Sequence, residues 1–316
     1  MNLEPLKQTK LYGLDREIKE LFNLFENNKL PKQIMLSGPK GIGKCTMSYH
    51  LINFVLSVNE ENPYDANNLI INENNKSFRL IKNSVNPNFY SIDVIDEKKK
   101  IDINQIRNLI IDLNKSSFNH KPRFVLIDNV ELLSISSINA LLKIIEEPNN
   151  NIFFILINNN KKMLPTLKSR CLNFRISLSH KKVIDISNEL LDLDIRNIIN
   201  KSLINYYLTP GKILNLIRIS KEYELDLKFD SVDVWQDLPG YYLTPHTDNE
   251  SIKVAVQIYL SNHDQGTCMY DDKGEIVHVF PFKNNFGYSL LNNEKSLHGV
   301  PEINKDGRIS LYVRYS

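Results

Sequence analysis

Apolar positions in the first two-thirds of the chain fall into two alternating textures. Short unbroken runs, Gln33–Ser37, Phe89–Asp93, Arg123–Ile127 and Ile152–Ile157, have the length and β-branched content of buried strands. Between them lie stretches with apolar spacing of three and four, which predicts helices covering a parallel sheet. One such helix carries Ile138, Leu141, Leu142 and Ile145 on one face. Its expected caps are Ser136 and Ser137, and Pro148 must stop it. The Asn-rich stretch 59–75 is expected to be an exposed insertion. After Cys171 the strand pattern fades, and 183–191 and 213–223 read as helices of a small lid, separated by Pro210-Gly211.

Beyond residue 229 the texture changes to short alternating runs such as Val254–Leu260, broken by Gly, Asp and Asn turns. That predicts an all-β segment. Four of the seven histidines, His246, His263, His278 and His298, fall within it. The expected organisation is therefore an α/β domain over 1–175, a helical lid over 176–228 and a β segment over 229–316.

Length permits this division, since 316 residues suffice for two or three domains. The net charge of +2 provides no global basic field, so any nucleic-acid contact must be a local patch. Cys45, Cys171 and Cys268 are far apart and form no CxxC pair, which argues against a disulfide framework or zinc ribbon and suits a reducing cytosol. No basic-then-apolar leader opens the chain, and Ile152–Ile157 is far below the ~20 residues that span a bilayer. The expectation is a cytoplasmic protein that does not engage a membrane.

Gly38-Pro39-Lys40-Gly41-Ile42-Gly43-Lys44-Cys45-Thr46 follows a predicted strand and opens a predicted helix, the context that gives a Walker A pattern its meaning. Gly38, Gly41 and Gly43 let the backbone curl around phosphate, and Lys44 supplies the charge. The bland alternative is a Gly-rich turn with an exposed lysine. The hydroxyl that normally binds magnesium is replaced by Cys45, a poor ligand for a hard cation, and Thr46 is one residue out of place. Asp128 ends a later strand as a Walker B aspartate would, but the next position is Asn129, whose amide is no base. ATP and Mg(II) binding is thus expected to be possible and hydrolysis weak or absent.

Asn139-Ala140-Leu141-Leu142-Lys143-Ile144-Ile145-Glu146-Glu147-Pro148, then Leu164-Pro165-Thr166-Leu167-Lys168-Ser169-Arg170-Cys171, resembles the bacterial DNA polymerase III clamp-loader subunits of the AAA+ class. The Ser-Arg-Cys element and the degenerate nucleotide motifs resemble the delta-prime branch. The likeness runs over roughly 5–225, including Leu11-Tyr12-Gly13 and Thr209-Pro210-Gly211-Lys212. It implies that Arg170 is an arginine finger reaching ATP on a neighbouring subunit, that Asn158 is the sensor polar group, and that the partners are other clamp-loader subunits, the sliding clamp and primed DNA. A surface arginine is the plain alternative for Arg170. The zinc-binding cysteines of many relatives and the helical collar after residue 228 are missing from this pattern.

The last segment holds Pro245-His246-Thr247-Asp248, then His298, then Arg308-Ile309-Ser310. Two imidazoles and a carboxylate occupy one face of ferrous iron and leave positions open for a co-substrate and oxygen. A lone His-x-Asp is usually a surface turn. The ordered set, with Gly240-Tyr241-Tyr242-Leu243, Gly266 and Lys283-Asn284-Asn285, resembles the 2-oxoglutarate and Fe(II)-dependent oxygenases, particularly the prolyl-hydroxylase-like members. That resemblance implies a double-stranded β-helix, Fe(II) on His246, Asp248 and His298, the distal carboxylate of 2-oxoglutarate on Arg308 with Ser310, and hydroxylation of an unspecified substrate. His278 is the rival ligand, read as a partly buried strand residue. The first strands of that fold are expected to be missing, so a chance join of two truncated pieces near residue 229 competes with a selected fusion.

Overall fold

The computed structural model describes residues 4–95, 100–115, 119–146, 151–197, 209–222 and 229–316. The chain divides into two compact units, Met1–Ile219 and Ser220–Ser316.

In the first unit the elements run α1 (Asp15–Glu26), β1 (Gln33–Ser37), α2 (Lys44–Leu56), α3 (Lys76–Lys82), β2 (Phe89–Ile92), α4 (Ile103–Leu113), β3 (Arg123–Ile127), α5 (Ile135–Glu146), β4 (Ile152–Asn158), α6 (Pro165–Lys168), β5 (Leu172–Arg175), α7 (His180–Leu191) and α8 (Pro210–Glu222). The five strands form one parallel sheet in the order β2-β3-β4-β1-β5. Every residue of β3 and β4 is buried, because helices cover both faces. Ile18, Leu21, Met47 and Leu51 of α1 and α2 belong to one core, and Ile106, Leu109, Ile138 and Leu141 of α4 and α5 belong to another. Each such side chain contributes ~1.5–3 kcal/mol on burial.

Three expectations change here. The cap of α5 is Ser134, whose Oγ accepts from the Ser137 amide at 3.1 Å, one turn before the serines anticipated. Pro148 lies outside the described residues. The Asn-rich stretch is not a loose insertion: Tyr64, Leu69 and Ile71 enter the core, and buried Asn75 caps α3 by accepting from the Phe78 amide at 2.7 Å. Finally, β5 extends the sheet past β1 where no strand pattern was legible.

The second unit holds β6 (Phe229–Asp237), β7 (Leu243–His246), β8 (Val254–Tyr259), β9 (Thr267–Tyr270), β10 (Ile276–Phe280), β11 (Gly287–Leu291), β12 (His298–Val300) and β13 (Arg308–Tyr315). They form two antiparallel four-stranded sheets, β10-β9-β12-β7 and β11-β8-β13-β6. Eight strands in two sheets is the complement of a jelly roll, although the sequence pattern suggested that its first strands were absent. Among the described residues no helix is long and apolar enough to cross a membrane.

Candidate functional site

The phosphate loop leaves β1 and enters α2 through Gly43, whose φ of 103° is open to glycine and closed to most other residues. The Gly38 amide donates to the Asn158 carbonyl at 3.2 Å, tying the loop to the end of β4. Thr209 and the start of α8 close it from the other side. Thr209 Oγ1 donates to the Lys40 carbonyl at 2.7 Å, and the Gly211 amide, in the first turn of α8, donates to the Gly41 carbonyl at 2.9 Å. A cavity of about 590 Å³ lies here, lined by the loop, Thr46, Asp128, Asn129, Asn159 and the start of α8. Its size lies within the range of small-molecule sites.

Inside this cavity the polar groups are engaged with neighbouring carbonyls and amides. Lys44 is buried and donates to the Gly38 and Pro39 carbonyls at 2.8 and 2.7 Å and to Asn159 Oδ1 at 3.0 Å. Burial pushes its ammonium down to about 8, against the pull of Asp128 and Glu131. Desolvation raises the Cys45 thiol, with the charge of nearby Asp128 adding to the rise, and desolvation also raises Asp128. Asn129 Nδ2 donates to Asp93 Oδ1 at 2.7 Å, and Asn129 Oδ1 accepts from Asn159 at 2.9 Å.

Asn158 faces elsewhere, with Nδ2 donating to the Lys161 carbonyl at 3.2 Å. The polar side chain that meets Lys44 is its neighbour Asn159, held by Glu131, whose Oε1 accepts from Asn159 Nδ2 at 3.1 Å. Arg170 is partly exposed at the end of the α6 segment, paired with Glu146 at 2.5 Å and donating to the Thr166 carbonyl at 2.9 Å.

In the second unit, His298 and His246 are direct cross-strand partners on β12 and β7, with ring centroids 4.6 Å apart. Asp248 follows two residues beyond His246. One ligand atom from each of the three lies within 4.8 Å of the others. Each imidazole is turned by its own strand: His246 Nδ1 donates to the Thr244 carbonyl and His298 Nδ1 to the Ser296 carbonyl, both at 2.9 Å. That tautomer leaves the Nε2 lone pairs for a metal. Burial lowers the pKa of His298, favouring the neutral, ligating form. Gly299 is required beside it, because a Cβ there would stand 2.6 Å from the Leu243 carbonyl oxygen. The donor set of two imidazoles and one carboxylate fits a divalent transition metal. His278 is exposed on edge strand β10, outside the triad.

Arg308 starts β13 and is 1 % exposed. Its guanidinium pairs with Asp237, the cross-strand residue on β6, and donates to Thr267 Oγ1 at 3.0 Å and the Gln265 carbonyl at 3.3 Å. It also lies over the Phe282 ring at 4.5 Å. Ser310 accepts from Gln257 Nε2 at 2.9 Å, and Tyr288 donates to Gln257 Oε1 at 2.6 Å. A buried polar lining of this kind suits a polar ligand, with Asp237 already holding one side of the arginine.

With both sites described, comparison with known proteins decides the family of the first unit. A profile described as "DNA polymerase III, delta subunit" matches residues 13–180, more than half of the chain. The chain belongs to that family. The DNA polymerase III subunit gamma of Buchnera aphidicola is 28% identical over 190 residues, covering 59% of this chain and 48% of that protein. The subunit delta' of the same organism is 27% identical over 171 residues, covering 54% and 50%. The chain thus spans about half the length of these relatives. A solved oxidoreductase of the 2OG-Fe(II) oxygenase family from Burkholderia pseudomallei is similar at 17% identity and TM-score 0.26, covering 34% of this chain and 57% of that one.

Sequence reasoning missed three side chains of the two candidate sites: Asn159, Asp237 and Tyr312, whose hydroxyl donates to Asp248 at 3.2 Å. Asn159 was one residue from the position chosen; Asp237 and Tyr312 carry no motif of their own. Strand pairing was the signal for Asp237, and two-residue periodicity from Arg308 through Ser310 was the signal for Tyr312.

Proposed function

We propose that the first unit acts as a clamp-loader subunit of the delta-prime type, binding nucleotide without turning it over and working through protein contacts. The observation that carries this is the state of its catalytic positions: Cys45 stands where a hydroxyl would bind magnesium, and the residue after Asp128 is Asn129, engaged with Asp93 and Asn159. No carboxylate is positioned beside Asp128 at residue 129 to orient an attacking water. Arg170, partly exposed and held to Glu146, is the group that reaches a neighbour's ATP, with other loader subunits, the clamp and primed DNA as partners. A fluorescent ATP analogue should bind the purified chain, with hydrolysis at background. Turnover on the order of 1 s⁻¹ would contradict the reading.

The triad favours a second activity in the other unit. His246, Asp248 and His298 would hold ferrous iron, and Arg308 with Ser310 would hold the far carboxylate of 2-oxoglutarate. When bound, iron and 2-oxoglutarate would together activate dioxygen, which supplies the oxidising power for hydroxylation. The chain's own residues do the rest: the strand carbonyls fix both imidazole tautomers, the Gln257–Ser310 pair lines the interior, and Thr267 with Asp237 orients the guanidinium. Anaerobic titration with ferrous iron should show one site in the wild type and none in His246→Ala. Equal binding by both would remove the triad from the account, and succinate release with 2-oxoglutarate tests the co-substrate separately.

A further inference from the structure

The two histidines of the triad are fixed by paired strands, but the carboxylate is not. Asp248 lies beyond the last residue of β7, in a segment without regular structure. Among the described residues, the hydrogen-bond donor to its carboxylate is Tyr312 Oη, 3.2 Å from both Oδ1 and Oδ2. Tyr312 stands in the middle of β13, paired with Asp233 of β6 on one side and Gln257 of β8 on the other. Its ring is covered by the Arg314 guanidinium at 4.7 Å. A strand paired on both sides therefore presents one hydroxyl to a carboxylate that lies outside any strand, on a segment whose backbone Asn292 Nδ2 holds by donating to the Asp248 carbonyl at 3.1 Å.

We propose that Tyr312 is the positioning residue of this metal site: its hydroxyl, 3.2 Å from both oxygens of Asp248, holds the carboxylate in the orientation it presents to the metal. The proposal rests on the metal reading above. A metal-binding carboxylate whose second oxygen accepts a hydrogen bond keeps one orientation, and loss of such outer partners typically weakens metal binding by 10–100-fold. A phenol suits the task because it donates without adding charge beside the ligands. Tyr312 shares its strand face with Arg308 and Ser310, four and two residues back, so a single strand carries both the carboxylate holder and the proposed anchor for an acidic co-substrate.

The test uses the full chain and anaerobic calorimetry with ferrous iron and with Co(II). Tyr312→Phe should bind ferrous iron at least tenfold more weakly than wild type, within the range for lost outer partners. In an Asp248→Ala background, which the two histidines should leave with measurable Co(II) affinity, adding Tyr312→Phe should change binding less than about twofold. Tyr312→Gln, which keeps an N–H donor, should recover most of the loss and serves as the deciding variant if the phenylalanine chain fails to fold.

Wild-type affinity in Tyr312→Phe, or an equal loss in both backgrounds, would overturn the proposal and leave Tyr312 a packing residue. A visible phenolate band on oxidation to ferric iron, absent in Tyr312→Phe, would overturn it by making the tyrosine a ligand. A wild-type chain that binds neither metal would overturn the metal reading and this inference together.

Discussion

Histidine is treated in opposite ways in the two units. His50, in α2, has both ring nitrogens engaged: Nδ1 accepts from Tyr64 Oη at 2.8 Å, and Nε2 donates to the Gln8 carbonyl at 3.2 Å. His246 and His298 each give only Nδ1 to their own strand, and the remaining nitrogens are left to converge with a carboxylate. The same contrast separates the two sites. In the phosphate loop, Lys44 is held by carbonyls and Asn159, and Asn129 is held by Asn159 and Asp93. Polar groups that bond to one another stabilise a fold, while groups aimed at a shared point are prepared for something not yet there.

The sharpest way to break this comparison is to remove a partner that is already engaged. Asp237→Ala leaves Arg308 buried without its counter-charge and should cost the second unit ~3–5 kcal/mol. Trp235, the one tryptophan, reports that unit's unfolding in urea. A loss below ~1 kcal/mol would mean that the arginine finds water or another acceptor.

Next in size is acid. Burial pushes His50 down to about 4 from the usual 6.5, so the fold favours its neutral form. Stability from this group is complete above pH 6.5 and lost as pH falls toward 4, because the unfolded chain then binds the extra proton. The gap corresponds to ~3 kcal/mol at ~1.4 kcal/mol per pH unit. The helical circular-dichroism signal followed in urea should lose this between pH 6.5 and 4, and His50→Gln should flatten the dependence.

Cys45→Ser restores a hard oxygen ligand and should tighten Mg(II)-dependent ATP binding by about tenfold, equivalent to ~1.4 kcal/mol, without bringing hydrolysis, since Asn129 remains. Smallest of all, Arg170→Ala removes a partly exposed pair with Glu146 and should change stability by less than ~1 kcal/mol. Its effect belongs to partner contact, measured as loader assembly.

The legible parts of the fold were those whose side chains face one environment. β3 and β4 are buried at every position, so an apolar run sufficed to find them. β5 escaped because it is an edge strand with mostly exposed residues and therefore no pattern to read. The choice between Asn158 and Asn159 depended on strand parity at the last rung, where residue 158 still pairs with Ser37 and only its successor turns to the loop. The phosphate loop and the His-x-Asp element were visible as spaced residue types. The approach of His298 to His246 required a register that only pairing of β12 with β7 defines. Asp237 is an ordinary acid until β6 lies beside β13.

The bond from the Gly211 amide to the Gly41 carbonyl runs between main chains. It uses no side-chain atom of residues 44 or 45, so drift at those positions can silence the chemistry while α8 still feels any shift of the loop, provided that Gly41 and Gly211 stay free of a Cβ that would crowd the contact. A unit wired in this way can outlive its own catalysis and persist as a gauge of whether the cavity is filled.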